Sequence, residues 1–325
     1  MRMRRVKNEG EGYYHLVSRC VRKEFLLDVD EKKAFVEMMW RLADFSGIEV
    51  LTHCVLSNHF HLLVHVPRKH VVGEEELLRR VRVLYGKERE SDMRARWTVY
   101  KEKNLVDTLA REQNMLRKRM GDISPFMQTL KQRFTVWFRS HHNDHEGTLW
   151  QGRFSSTLVE GGGSLTAVAA YIDLNPVRAG IVTDPKDYLF SGYGAAVAGH
   201  TASRQGLIRV YGNKTRKFEE VAEAHRGLLY VKGTAAMPTE EVQQVLKKHG
   251  KLPLPMLLRC KVRAMNCGLA IGSKAFADKI FSTHRYAFSV RRRKAATGIS
   301  LCREWDGIQL CSVRHLQKAP VTFKA

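Results

Sequence analysis

Two imidazoles separated by one bulky apolar residue, His59-Phe60-His61, stand inside the run "LSNHFHLLVHVP". Side chains alternate along a strand, so His59, His61, Leu63 and His65 share one side while Phe60, Leu62, Val64 and Val66 take the other. Two imidazoles at alternate positions can point at one divalent cation while the opposite, apolar face anchors the strand. The same spacing also fits two satisfied, half-buried histidines that hold nothing. A nucleotide hydrolase with histidines at three alternate positions is a further reading, and Leu63 in the third slot argues against it. His65 lies too far along the face from His59 to share a cation with it and is read as structural.

A second element carries a tyrosine and an amide. In "SLTAVAAYIDLNPVRAG" the residues Leu165, Val168, Ala169 and Ile172 form a helical core stripe, with Tyr171 and Asn175 one turn apart on its border. Such a tyrosine can present its phenolic oxygen to a cleft with an amide oxygen beside it. Equally, a boundary tyrosine can pack on the core while the asparagine closes the helix before Pro176. Weaker candidates are Arg153 in "WQGRF", suited to a phosphate or to a plain ion pair, and the cluster His141, His142 and His145, read as a solvated loop.

These groups need a scaffold. "YYHLVSRCV" alternates as a strand, and "DEKKAFVEMMWRLADFSG" spaces Phe35, Met38, Met39, Leu42 and Phe45 as a helix ending at Gly47. "IEVLTHCVLS" and "HFHLLVHVP" read as two strands turning at Ser57-Asn58. Charged helices fill an insertion over about 70–122. "SPFMQTLKQRFTVWFRSHH" stacks Phe126, Leu130, Phe134 and Phe138 on one helical face, "TLWQGRFSSTLVE" reads as a strand, and the tyrosine helix follows. The order predicts an α+β, ferredoxin-like split βαβ sandwich. Residues 1–200 form the expected chemical unit, and residues 201–325 an appended, mostly helical region of separate purpose.

Lysine and arginine outnumber aspartate and glutamate 55 to 33, a formal charge of +22. That excess points to a polyanion, nucleic acid before an anionic membrane surface. The chain has no apolar run long enough to span a bilayer, and its basic start is not followed by the apolar stretch of a signal peptide, so a cytoplasmic location is expected. Six cysteines without a C-x-x-C pair read as free thiols, neither a disulfide framework nor a zinc knuckle. The basic block from Arg291 to Lys294 adds to the polyanion expectation.

"SNHFHLLVHVP", "GTLWQGRFSSTLVE" and "YIDLNPVRAGIV", in this order, resemble the single-tyrosine HUH transposases, most closely their REP-associated branch. The resemblance runs from about Tyr13 to Tyr193. It implies that His59 and His61 ligate Mg²⁺ or Mn²⁺, that the Asn175 amide completes the metal site, and that Tyr171 attacks a phosphodiester of single-stranded or hairpin DNA. Cleavage would leave a 5′-phosphotyrosine and a free 3′-OH. The chemistry fits the residue types: a divalent cation offsets phosphate charge, and a phenolate is both a nucleophile and a tolerable leaving group, so rejoining needs no ATP. The chain carries no phosphate-binding G-x-x-x-x-G-K-[ST] loop. Alternatives are a domesticated, non-catalytic binder of DNA hairpins and a replication-initiation or relaxase-type HUH nuclease. The resemblance allows a monomer or a homodimer.

Overall fold

The computed structural model describes residues 6–8, 10–68, 70–142, 147–212, 217–229, 231–232, 235–236, 265, 268–288, 292, 297–298 and 310–314. β1 (Gly12–Arg19), α1 (Val29–Ser46), β2 (Glu49–Val55) and β3 (His59–Val66) follow the predicted strand, helix, strand, strand order. The Glu31 carboxylate starts α1 by accepting from the Asp28 amide at 2.9 Å. Gly47 ends it in the left-handed region, at φ 64°. The β2–β3 turn at Ser57-Asn58 is closed by the Leu56 amide, which donates to the His59 carbonyl at 2.9 Å.

Next come α2 (Glu74–Tyr85), α3 (Lys87–Glu102), α4 (Val106–Arg117), α5 (Ile123–His141), β4 (Ser155–Val159), α6 (Gly163–Asp173) and the single turn α7 (Asn175–Arg178). The strands lie in the order β2-β3-β1-β4, antiparallel throughout. α1 therefore links β1 to β2 across the intervening β3, which is the split βαβ arrangement of the ferredoxin-like α+β class.

Each sheet face has its own core. On one face Phe60 meets α1 and α5: its ring lies 4.4 Å from that of Phe35 and 5.6 Å from that of Trp150. Phe126, Leu130, Phe134 and Phe138 of α5 are all buried there. Phe60 is wholly buried, so truncation to alanine would cost about 3–5 kcal/mol. On the opposite face Leu51, Leu63 and Val159 pack against Leu165, Val168 and Ile172 of α6. α8 (Gly192–Val197), α9 (Thr201–Val210) and α10 (Phe218–Leu229) complete that layer. This second face is the one to which His59, His61 and His65 belong.

The insertion helices bury Leu77, Leu78, Val81, Leu84 and Trp97 in the α1–α5 core. Many of their cations are held internally. Arg79 pairs with Asp44 at 2.6 Å, Arg94 with Glu75 at 2.9 Å, Arg96 with Glu112 at 2.5 Å and Lys101 with Glu74 at 2.6 Å. Much of the charge that marks this stretch in the sequence is thus neutralised within the fold.

Beyond residue 200 the described residues hold strands as well as helices. β5 (Val231–Lys232) and β6 (Ala235–Ala236) form a separate two-stranded ladder. β7 (Gly268–Gly272) runs parallel to β4, α11 (Lys274–Thr283) packs beside it, and β8 (Thr297–Gly298) and β9 (Cys311–Arg314) continue the main sheet to the order β2-β3-β1-β4-β7-β9-β8. The sequence predicts a mostly helical region here, and α9, α10 and α11 are helical; the strands go unpredicted because they are too short to print a period-two pattern. The helical pattern at 239–250 and most of the Arg291 block lie outside the described residues. No helix among the described residues is long and apolar enough to cross a membrane.

Candidate active site

The β1–β3 ladder sets the geometry. Tyr13, His15, Val17 and Arg19 stand opposite His65, Leu63, His61 and His59, and opposite residues share a face. His61 is wholly buried, and its Nδ1 lies 2.9 Å from Nε2 of His15, the diagonal neighbour. His15 Nδ1 lies in turn 3.0 Å from the Met265 carbonyl oxygen. The other nitrogen of His61, Nε2, is buried and has no hydrogen-bond partner. The His59 and His61 ring centroids are 5.0 Å apart, and His59 Nδ1 meets Asn58 Oδ1 at 2.5 Å.

Burial, reinforced by the Arg19 cation, lowers the His59 pKa to about 4. Burial first, with smaller contributions from the neighbouring His15, His59, Arg19 and Arg178, pushes His61 well below its ordinary value. Both imidazoles are therefore neutral near pH 7, the form that binds a metal.

α6 carries Tyr171 onto the same face. Its ring stands edge-on to His61 (5.9 Å, 88°) and to His15 (6.1 Å, 75°). The Arg178 guanidinium carbon lies 5.2 Å from the Tyr171 ring centroid. Tyr171 is only 2% exposed, so the border tyrosine opening to a cleft is corrected: the ring faces inward. Asn175 is also buried, and its Nδ2 donates to the carbonyls of Tyr171 (3.0 Å) and Ile172 (3.2 Å), tying off the end of α6. Pro176 does more than stop a helix. It lies in the first turn of α7, which returns Arg178 over the tyrosine.

Arg153 does not stand on a strand. The ladder shrinks to a single bridge at Cys20–Trp150, and β4 resumes only at Ser155. Arg153 is exposed in the intervening segment. That segment runs past the His59 end of the sheet, because the Gln151 amide donates to the Arg19 carbonyl at 3.0 Å and Arg19 is the ladder partner of His59. His65 bonds Glu49 at 2.8 Å, and its ring lies 4.8 Å from that of Tyr13, tilted by 30°. His142 Nε2 lies 2.8 Å from Glu31 Oε1 and His141 stacks on Trp137, while His145 lies outside the described residues. Burial raises the Cys20 thiol to about 12 and Cys54 well above its ordinary value, so neither is a nucleophile.

Sequence reasoning missed His15, Arg19 and Arg178. His15 and Arg19 occupy alternate positions of the predicted first strand, and Arg178 follows Tyr171 by two helical turns, so a periodicity signal existed for all three. No group of three or more His, Cys, Asp or Glu side chains able to hold a metal occurs among the described residues. A metal here would rest on His59, His61 and an amide oxygen. The unpartnered Nε2 of His61 fits that use, since a buried imidazole nitrogen without a partner is costly unless something binds it.

Residues 9–75 match the family model described as "Transposase IS200 like". The matched segment holds β1, α1, β2 and β3, and so both histidines of the pair. A solved structure described as that of a REP-associated tyrosine transposase bound to a REP hairpin is 17% identical over 67% of this chain and 94% of its own, with a TM-score of 0.40. No curated protein matches the chain significantly.

Proposed function

We propose that the chain is a metal-dependent single-stranded DNA endonuclease and strand transferase, a transposase working through a 5′-phosphotyrosine intermediate. One observation carries the reading: Tyr171, His59 and His61 converge on one sheet face, and the His61 ring that meets the tyrosine edge-on keeps one buried nitrogen without a hydrogen-bond partner. The IS200-like match over 9–75 supports the same class. His59, His61 and the Asn175 amide oxygen would hold a Mg²⁺ or Mn²⁺ ion. When bound, that ion neutralises charge on the scissile phosphate.

Tyr171 supplies the attacking oxygen. Its O–P bond forms as the P–O3′ bond breaks, and the leaving strand takes up a proton as a free 3′-OH. Arg178 and Arg19 add positive charge, which favours the phenolate and draws in the DNA backbone. In the reverse step a 3′-OH attacks the phosphotyrosine and returns the phenol.

A binding-only protein for DNA hairpins draws on a different observation, the 2% exposure of Tyr171. Incubation with single-stranded hairpin DNA and Mn²⁺ separates the two. A covalent protein–DNA adduct is expected, and tight binding with no adduct under any divalent metal would favour the binder.

A further inference from the structure

His61 has two ring nitrogens, and a metal can take only one that carries no proton. Which nitrogen that is follows from the partners. The Met265 carbonyl only accepts, so His15 Nδ1 must carry a hydrogen to bond it at 3.0 Å. A neutral His15 then has a lone pair at Nε2. The 2.9 Å contact to His61 Nδ1 requires one hydrogen, and His61 must provide it. With its proton fixed on Nδ1, His61 is left with a lone pair on Nε2, the buried atom that has no partner.

The other assignment would make His15 doubly protonated. His15 is 1% exposed, and its hydrogen-bond partners are a carbonyl and an imidazole, with no carboxylate between them. A buried cation in that setting would be strongly disfavoured.

Resting on the metal reading above, we infer that His15 is a positioning residue that locks His61 in its metal-binding tautomer, and that the Met265 carbonyl anchors this relay. The chain Met265 carbonyl, His15, His61 runs from the C-terminal region through β1 to β3, so the far end of the sequence sets the protonation of the site. His15 also touches the Tyr171 ring edge-on, which fixes His61 and the tyrosine against one wall. A residue that only filled space would not select one nitrogen of its neighbour.

The test uses the full chain. Nitrogen-15 NMR of labelled histidine in the metal-free protein is expected to show His61 protonated at Nδ1 and bare at Nε2. In His15→Gln the carboxamide oxygen can accept from His61 and its NH₂ can donate to Met265, so the tautomer and the Mn²⁺ affinity should stay within a few fold of wild type. His15→Phe removes the acceptor and should weaken Mn²⁺ binding by roughly 10–100-fold, with His61 shifting toward the Nε2–H form. A wild-type His61 protonated at Nε2 overturns the lock, whatever the variants do. Mn²⁺ binding through His61 that His15→Phe leaves intact overturns the role of His15 alone, whereas no Mn²⁺ uptake by the wild type overturns the metal reading beneath it.

Discussion

The His61 imidazole and the Tyr171 ring meet edge to face at 5.9 Å and 88°, although one comes from the β2–β3 hairpin and the other from the last turns of α6. Neither segment can build the site alone. β1 joins them, since His15 bonds His61 and touches Tyr171 from the adjacent strand.

If His59 and His61 share a divalent ion, alanine at either position should weaken Mn²⁺ binding by about 100-fold or more and take cleavage with it. His59 is partly exposed, so His59→Ala should also fold normally. Calorimetric titration with Mn²⁺ reads the affinity. Undiminished metal-dependent cleavage in the double alanine variant contradicts the assignment.

Arg178 is exposed except where it lies over the tyrosine ring. Arg178→Ala should leave the melting temperature within a few degrees of wild type while slowing adduct formation by about 10–100-fold, because a cation near the developing charge is lost. Arg178→Lys should recover part of the rate. A rate unchanged in Arg178→Ala would leave this cation no part in the chemistry.

Buried neutral histidines make stability fall in mild acid. His53 has both ring nitrogens buried and unpartnered, and burial holds its pKa near 3; His15 is held near 4. Between those values and about 6.5 the unfolded chain binds protons that the folded chain refuses. Stability is therefore full above about pH 6.5 and drops as pH falls, by up to about 1.4 kcal/mol per pH unit for each such histidine. Melting curves from pH 7 to pH 5 measure the slope, and His53→Leu should flatten it. A melting temperature that holds steady or rises toward pH 5 contradicts this account.

Ending the chain at residue 200 removes β7, β8 and β9, the Gly268 carbonyl that accepts from Thr157 Oγ1 at 2.7 Å, and His225, which bonds the buried Asp173 at 3.0 Å. An uncovered edge at β4, together with the loss of one partner of the buried Asp173, which keeps the Thr52 hydroxyl on its other oxygen at 2.7 Å, should cost several kcal/mol, of which the lost hydrogen bond accounts for about 1–3. The fragment is expected to aggregate or to melt well below the full chain. A cooperative transition at the wild-type temperature would show that residues 1–200 fold independently.

The parts of the site that depend on local spacing were legible in the sequence. His59 and His61 follow from alternation, Tyr171 and Asn175 from one helical turn, and the α+β order from the succession of periods. What depends on register was not. Alternation puts His15 and Arg19 on one face of the first strand, but only the β1–β3 ladder sets His15 diagonal to His61, and no residue near it in sequence marks that partner. The Met265 carbonyl was invisible for a similar reason, since a backbone oxygen has no sequence signature and nothing in the sequence places Met265 beside β1. Arg153 was misplaced because a run that alternates well in sequence is interrupted after Trp150, whose ring packs into the α1–α5 core.

The most direct measurement is Tyr171→Phe assayed on single-stranded hairpin DNA with Mn²⁺. The substitution deletes one oxygen and keeps the ring that packs on His61 and His15, so the fold should lose no more than about 1–2 kcal/mol and Mn²⁺ and DNA binding should persist. The covalent adduct should vanish, while phenylalanine at Tyr13, Tyr14 or Tyr188 should leave it in place. Full adduct formation by Tyr171→Phe, with loss at one of those other tyrosines, would contradict the claim that Tyr171 is the nucleophile.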